Sequence, residues 1–217
     1  MKFDQIRKII LLFLLGSVKL VGAQSAPEIR DIYLCIGQSN MAGVAPVLQE
    51  EKQPLERTWV LNDKGVWEVA VCTTEGLNRY ASVRKPSPQL LGPSYSFARK
   101  LESAVATPIG IVSNARGGTQ IEWWQKGYQG PNDFDLYEKA LERTKLALAL
   151  SPGSRISAIL WHQGEGDNAP VRSEGYLSRL RKLVEDLRND LGDQGIPLVA
   201  GEVGTWNGRG KEVNAKI

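Results

Sequence analysis

Four short stretches of the chain are continuously apolar, and long amphipathic stretches lie between them. Ile32 to Ile36, Ile109 to Ser113, Ile156 to Trp161 and Leu198 to Val203 do not alternate apolar with polar residues. Unbroken apolar runs of this length predict strands covered on both faces, as in a parallel sheet. The intervening segments repeat at three- and four-residue steps. Ser94 to Ala106 is one such helical pattern. Asp133 to Leu150 is a second, with Asp133 placed as N-cap and Pro152-Gly153 as the stop. In Ser173 to Leu191 the apolar positions are Tyr176, Leu177, Leu180, Leu183, Val184, Leu187 and Leu191, and Gly192 follows as C-cap. Strands alternating with long helices predict a layered α/β domain around a mostly parallel sheet. The segment Ala45 to Pro93 departs from this alternation. It holds the strand-like WVLND and VWEVAVC and a proline-rich RKPSPQLLGP, and is expected to form an excursion or hairpin over the top of the sheet.

Composition narrows the classes of partner. The chain has 217 residues, 42% hydrophobic and 24% charged, with a net charge of +3. Lys and Arg are scattered among acids without a basic tract, which argues against nucleic acid. The N-terminus places Lys2, Arg7 and Lys8 ahead of an apolar run from Ile9 to Leu15, with Val21-Gly22-Ala23 as a small-residue cleavage site. This is the pattern of a secretory signal peptide over residues 1–23, and the apolar run is far shorter than the roughly 20 residues needed to span a bilayer. A secreted or periplasmic protein with no stable membrane anchor is expected, leaving residues 24–217 as one domain. Two cysteines, Cys35 and Cys72, form no disulfide framework and are expected to be free thiols. A single histidine makes a zinc site improbable, and no metal or cofactor is expected.

Three polar, glycine-bearing loops follow three of the apolar runs, and ligands of open α/β sheets bind beyond the carboxyl ends of strands. In GQSNMAG, residues 37–43, Gly37 and the pair Ala42-Gly43 permit a tight strand-to-helix turn that presents Ser39. Ser39 there is either a nucleophile beside backbone N–H donors or simply a helix N-cap. In NARGGTQIEWW, residues 114–124, Gly117-Gly118 let backbone amides turn toward a ligand. Trp123 and Trp124 supply either flat apolar surface for a sugar or core packing. In WHQGEGD, residues 161–167, Gln163, Glu165 and Asp167 crowd one loop, and these acids, like Arg116, either touch substrate or brace the loops.

These three blocks, in this order and spacing, resemble the SGNH-type carbohydrate acetylesterases, the sialate O-acetylesterase-like group. The resemblance runs from about Ile29 to the C-terminus and implies a flavodoxin-like three-layer α/β/α fold. It also implies cofactor-free removal of acetyl groups from sugars such as sialic acid or xylan through an acyl-serine. By position, Ser39 resembles the nucleophile. The backbone N–H groups of Ser39 and Gly118 and the side chain of Gln163 resemble the oxyanion hole. Trp123, Trp124 and Glu165 are the candidate substrate-binding residues. The group carries an Asp-x-x-His block near its C-terminus, and no such block occurs here. The expectation is a C-terminally incomplete, catalytically impaired domain. The only histidine, His162, adjoins Gln163, and adjacent strand residues face opposite sides. Two other readings stay open: a non-catalytic carbohydrate-binding protein on this fold, and a lipid or thioester hydrolase of the same superfamily.

Overall fold

The computed structural model describes residues 28–72, 91–129, 135–208 and 210–217. In chain order the strands are β1 (Asp31–Gly37), β2 (Thr58–Leu61), β3 (Trp67–Val69), β4 (Ile109–Ala115), β5 (Arg155–His162) and β6 (Leu198–Ala200). The helices are α1 (Ser39–Ala42), α2 (Pro93–Glu102), α3 (Leu136–Leu150), α4 (Pro170–Ser173), α5 (Tyr176–Leu191) and α6 (Lys211–Asn214). One sheet runs in the order β3-β2-β4-β1-β5-β6. Every pair is parallel except the β2–β3 hairpin.

The strands alternate their side chains between two buried layers. From β1, Ile32, Leu34 and Ile36 join a core built with α3 and α5, while Cys35 points into a second core with α1 and α2. On β5, Trp161 belongs to the first layer and Leu160 to the second. Helices on both faces therefore explain why these runs are apolar throughout, and the result is the expected three-layer α/β/α fold.

Helix α5 shows how the pattern becomes packing. Its buried face is Tyr176, Leu180, Leu183, Val184 and Leu187, joined by the acidic Asp186. Burying each aliphatic side chain stabilises by about 1.5–3 kcal/mol. Gly192 closes the helix at φ 75°, in the left-handed region, and the N–H groups of Gly192 and Asp193 donate to the last-turn carbonyls of Asn189 and Arg188.

Three details differ from the sequence reading. The predicted helix from Ser173 is two helices, because Gly175 at φ 73° breaks the chain between α4 and α5. The excursion after Ala45 enters the sheet itself through residues 58–69. Its hairpin is the sheet's own edge, with β2 parallel to β4 from Thr58 to Val60. Buried Thr58, Val60 and Leu61 make β2, one strand in from the edge, part of the core. The helix expected from Asp133 has Asp135 at its N-cap position, without a side-chain cap. Asp133 itself, the signal-peptide segment and most of the proline-rich stretch lie outside the described residues.

Cys35 and Cys72 are free and buried. Burial pushes both thiols up to about 12, with the charge of Glu51 adding to the effect at Cys72. Thiolate is the reactive form, so both should be inert in the native state. A disulfide-exchange reagent at pH 8 should titrate neither cysteine before unfolding and both after it. Rapid reaction of either thiol in the folded protein would contradict this arrangement.

Candidate active site

The site begins where β1 ends between its two parallel neighbours. Gly37 has φ 147°, and a Cβ there would stand 2.1 Å from the carbonyl oxygen of His162. Only glycine allows β1 and β5 to approach this closely. The next residue, Gln38, donates its backbone N–H to that His162 oxygen at 3.0 Å, and Arg116 N–H donates to Gly37 O at 2.9 Å. The end of β1 is thus pinned on both sides before the chain turns into α1.

Ser39 is the first residue of α1 and is partly exposed. The N-cap position belongs to Gln38, whose side chain makes no capping bond, so capping is not what Ser39 does here. The loop after β4 comes to meet it. A Cβ on Gly117 would lie 3.5 Å from Ser39 Cβ, while exposed Gly118, at φ 76°, has open space in front of it. The left-handed backbone at Gly118 redirects its peptide away from the strand direction.

Beneath Ser39 a buried polar brace ties the three loops together. Asp167 Oδ2 accepts from Gln163 Nε2 at 2.6 Å and from Ile121 N–H at 2.9 Å. Gln163 Nε2 also reaches Thr119 O at 3.0 Å and Gln38 Oε1 at 3.2 Å. Gln38 Oε1 in turn accepts from Gly166 N–H at 3.2 Å. The loops after β4 and β5 pass so closely that a Cβ on Gly166 would fall 2.4 Å from Thr119 O.

This arrangement corrects the role expected for Gln163. Its side chain is fully buried, and its amide has two hydrogens for three acceptors within 3.2 Å. The carboxylate and the carbonyl among them can only accept, which fixes the amide orientation. No N–H remains for an oxyanion, and Gln163 is a brace. Its backbone is held too: Tyr176 Oη donates to Gln163 O at 2.6 Å and accepts from Trp161 Nε1 at 3.0 Å.

Trp124 requires a second correction. It is fully buried, stands edge-to-face on Trp161 with ring centroids 5.5 Å apart, and donates its indole N–H to Thr119 Oγ1 at 3.1 Å. It supports the loop from below and offers no surface to a substrate. Trp123 is partly exposed and packs against the same core. Glu165 accepts from Asn40 Nδ2, joining the residue after Ser39 to the β5 loop. Its other oxygen, Oε2, is buried with no partner among the described residues.

His162 is the last residue of β5 and falls on the face opposite Trp161, as strand alternation demands. Its ring lies against the loop after β6, where a Cβ on Gly201 would stand 2.8 Å from His162 Cδ2. Its Nδ1 is buried and has no hydrogen-bond partner among the described residues. Gln38, Thr119 and Asn40 were not read from the sequence as site-building residues. The usable signal was polar side chains directly after a buried strand, where each needs a partner. Among the described residues no group of three His, Cys, Asp or Glu side chains could hold a metal ion. None of their helices is long and apolar enough to cross a membrane.

The fold and site together define an α/β domain whose polar loops gather beyond the carboxyl ends of β1, β4 and β5, around an accessible serine. The chain matches the family model described as carbohydrate esterase, sialic acid-specific acetylesterase, over residues 29–217, and it belongs to that family. It is 26% identical to the probable carbohydrate esterase At4g34215 of Arabidopsis thaliana, over 85% of this chain and 75% of that protein. The solved structure of that plant protein superposes with a TM-score of 0.73, covering 88% of this chain and 80% of the other. Human sialate O-acetylesterase is 26% identical over 76% of this chain, which spans only 37% of the human protein. The crystal structure of NanS, at 18% identity and a TM-score of 0.67 over 88% of this chain and 73% of that one, shares the fold.

The brace carries a titration signature. Burial raises the Asp167 carboxyl above its ordinary value, an effect only partly offset by the bonds from Gln163 and Ile121 and the charges of Arg179 and Arg172. A carboxyl raised on folding gives its stability below the ordinary value and loses it as pH climbs through the raised one. The uncharged Asp167→Asn side chain keeps an acceptor oxygen and has no such dependence. The melting temperature of the variant relative to the native protein should therefore rise as pH climbs from the ordinary carboxyl range through the raised value. A difference that stays flat or falls over that range would refute the assignment.

Proposed function

We propose that this chain is a serine esterase that removes O-acetyl groups from carbohydrate through an acyl-serine intermediate, with sialic acid or a plant polysaccharide such as xylan as the sugar. The observation that carries the reading is the approach of the Gly117-Gly118 turn to Ser39 above a buried brace. Attack by Ser39 Oγ on the acetyl carbonyl moves negative charge onto the carbonyl oxygen. Fixed donors must lie about 2.7–3.1 Å from that oxygen. The backbone N–H groups of Ser39 and Gly118 are the proposed donors, and Gln163 serves them by holding the two loops at a constant separation. Glu165 positions α1 through Asn40, and partly exposed Trp123 flanks the sugar. Collapse of the tetrahedral intermediate expels the sugar hydroxyl, and water then releases acetate from Ser39.

The leaving and attacking oxygens both need proton transfer, which is worth about 10²–10⁴-fold in rate. His162 is the only histidine in the sequence, and its ring is turned toward Gly201. We therefore assign it no part in the chemistry and expect this 217-residue chain to turn over slowly. A reading as a carbohydrate-binding protein without turnover draws on the same observation. Export through residues 1–23 is part of the proposal, consistent with a substrate outside the cell.

Two measurements test this. Hydrolysis of 4-nitrophenyl acetate by the chain should be slow, rise saturably with added imidazole, and vanish together with that rescue in Ser39→Ala. Imidazole-stimulated turnover that persists in the alanine variant would remove Ser39 from the chemistry. In the same assay His162→Gln should leave the rate within about twofold of the native chain, whereas a loss of about 10²-fold or more would make His162 the base.

A further inference from the structure

Ser39 stands on a helix too short to hold its own shape. α1 has four residues, and no side chain caps its first turn. One helical turn fixes more backbone angles than its hydrogen bonds repay, so its geometry must come from what it touches. The far end of the turn is held by packing. Met41 is buried in the second core, and Gly92 lies so close that a Cβ there would stand 2.7 Å from Met41 O. The near end, which carries the serine, is held differently.

The residues on either side of Ser39 both spend their side chains on the turn after β5. Gln38, only 4% exposed, accepts through Oε1 from Gln163 Nε2 and from Gly166 N–H, each at 3.2 Å. Its backbone N–H donates to His162 O at 3.0 Å. Asn40 donates from Nδ2 to Glu165 Oε1. All of these partners lie between His162 and Gly166, so the serine is straddled by two ties to one short segment. The ties are also chemically distinct. Ahead of Ser39 the β5 turn supplies N–H donors, and behind it the same turn supplies a carboxylate acceptor.

That segment is itself fixed. Gly164 has φ 156°, and a Cβ there would stand 2.6 Å from a methyl of Val213. Gly166 lies against Thr119, and Asp167 joins the turn to Ile121. A rigid turn that grips both neighbours of a residue fixes the direction of that residue's side chain.

We propose that Gln38 and Asn40 are positioning residues for Ser39, holding it from both sides to the turn after β5, so that this turn sets the direction of Ser39 Oγ. The inference rests on Ser39 as the nucleophile and deepens that reading. Neither side chain needs to touch substrate for this role. Their loss therefore bears on the rate of attack and not on substrate affinity, because a small misplacement of a reacting group is costly in rate.

The test exchanges the two partners of one tie. Asn40→Asp sets a carboxylate against Glu165, whereas Asn40→Asp combined with Glu165→Gln restores the bond with donor and acceptor reversed. Imidazole-stimulated hydrolysis of 4-nitrophenyl acetate, fluorophosphonate labelling of Ser39 and the melting temperature are measured on the 217-residue chain. Asn40→Asp should lower kcat and the labelling rate by about tenfold or more, with KM within about twofold of the native value. The double variant should recover most of that loss and exceed the product of the two single effects by about tenfold. Gln38→Met, which keeps the bulk and removes the acceptor, should lower kcat by about tenfold or more, again with KM little changed. The exchange at positions 40 and 165 keeps the proposal testable should Gln38→Met not fold. An unchanged kcat in Asn40→Asp or in Gln38→Met overturns the proposal, as does a double variant no faster than Asn40→Asp. Recovery of the melting temperature without recovery of kcat also overturns it, because the tie would then serve stability alone. In all of these outcomes the native Ser39 still reacts. A native chain with neither Ser39-dependent turnover nor labelling would instead overturn the serine esterase reading, and the positioning role with it.

Discussion

A buried carboxylate must find donors, and in this protein that requirement organises the site. Asp167 is almost wholly buried and takes its hydrogen bonds from Gln163 and from the Ile121 backbone. Gln163 then reaches Thr119 and Gln38, so one carboxylate draws the loops after β1, β4 and β5 into a single network. Removing any partner would strand a buried polar group, at a cost of about 1–3 kcal/mol or more for a charged one. The network therefore over-determines the positions of the three loops.

Glycine supplies the room for that network. Gly37 lets β1 and β5 close to within contact of the His162 carbonyl, and Gly166 lets the β5 loop lie on Thr119. Neither glycine bears functional atoms of its own. Their role is the absence of a side chain, which brings backbone donors and acceptors into the distances the brace requires.

The period-two alternation of β5 has a chemical consequence. Trp161 faces the layer of α3 and α5, so the next strand residue, His162, faces the other way. His162, the one imidazole of the chain, is carried to the face opposite Trp161 by the parity of a strand. The same parity buries Trp161 as the partner of Trp124, so two of the tryptophans near the motifs are core residues. Their indole N–H groups are spent on Tyr176 and Thr119, and in that way the core reaches into the site without facing a ligand.

The unbroken apolar runs, the helical periodicity of Tyr176 to Leu191 and the three polar loops at strand ends were legible in the residues, because burial and secondary-structure period act locally along the chain. They were sufficient for the layered α/β fold, for the family and for the meeting of three loops at one edge of the sheet. Three features were not legible: the amide of Gln163 turned inward to Asp167, Trp124 buried while Trp123 stays partly exposed, and the side chains of Gln38 and Asn40 spent on the turn after β5. Each depends on which donor, ring or void a side chain meets from a segment distant in sequence. A motif states which groups are available, but an amide has only two hydrogens and a ring only two faces. What they are spent on is settled by the neighbours that the tertiary fold delivers.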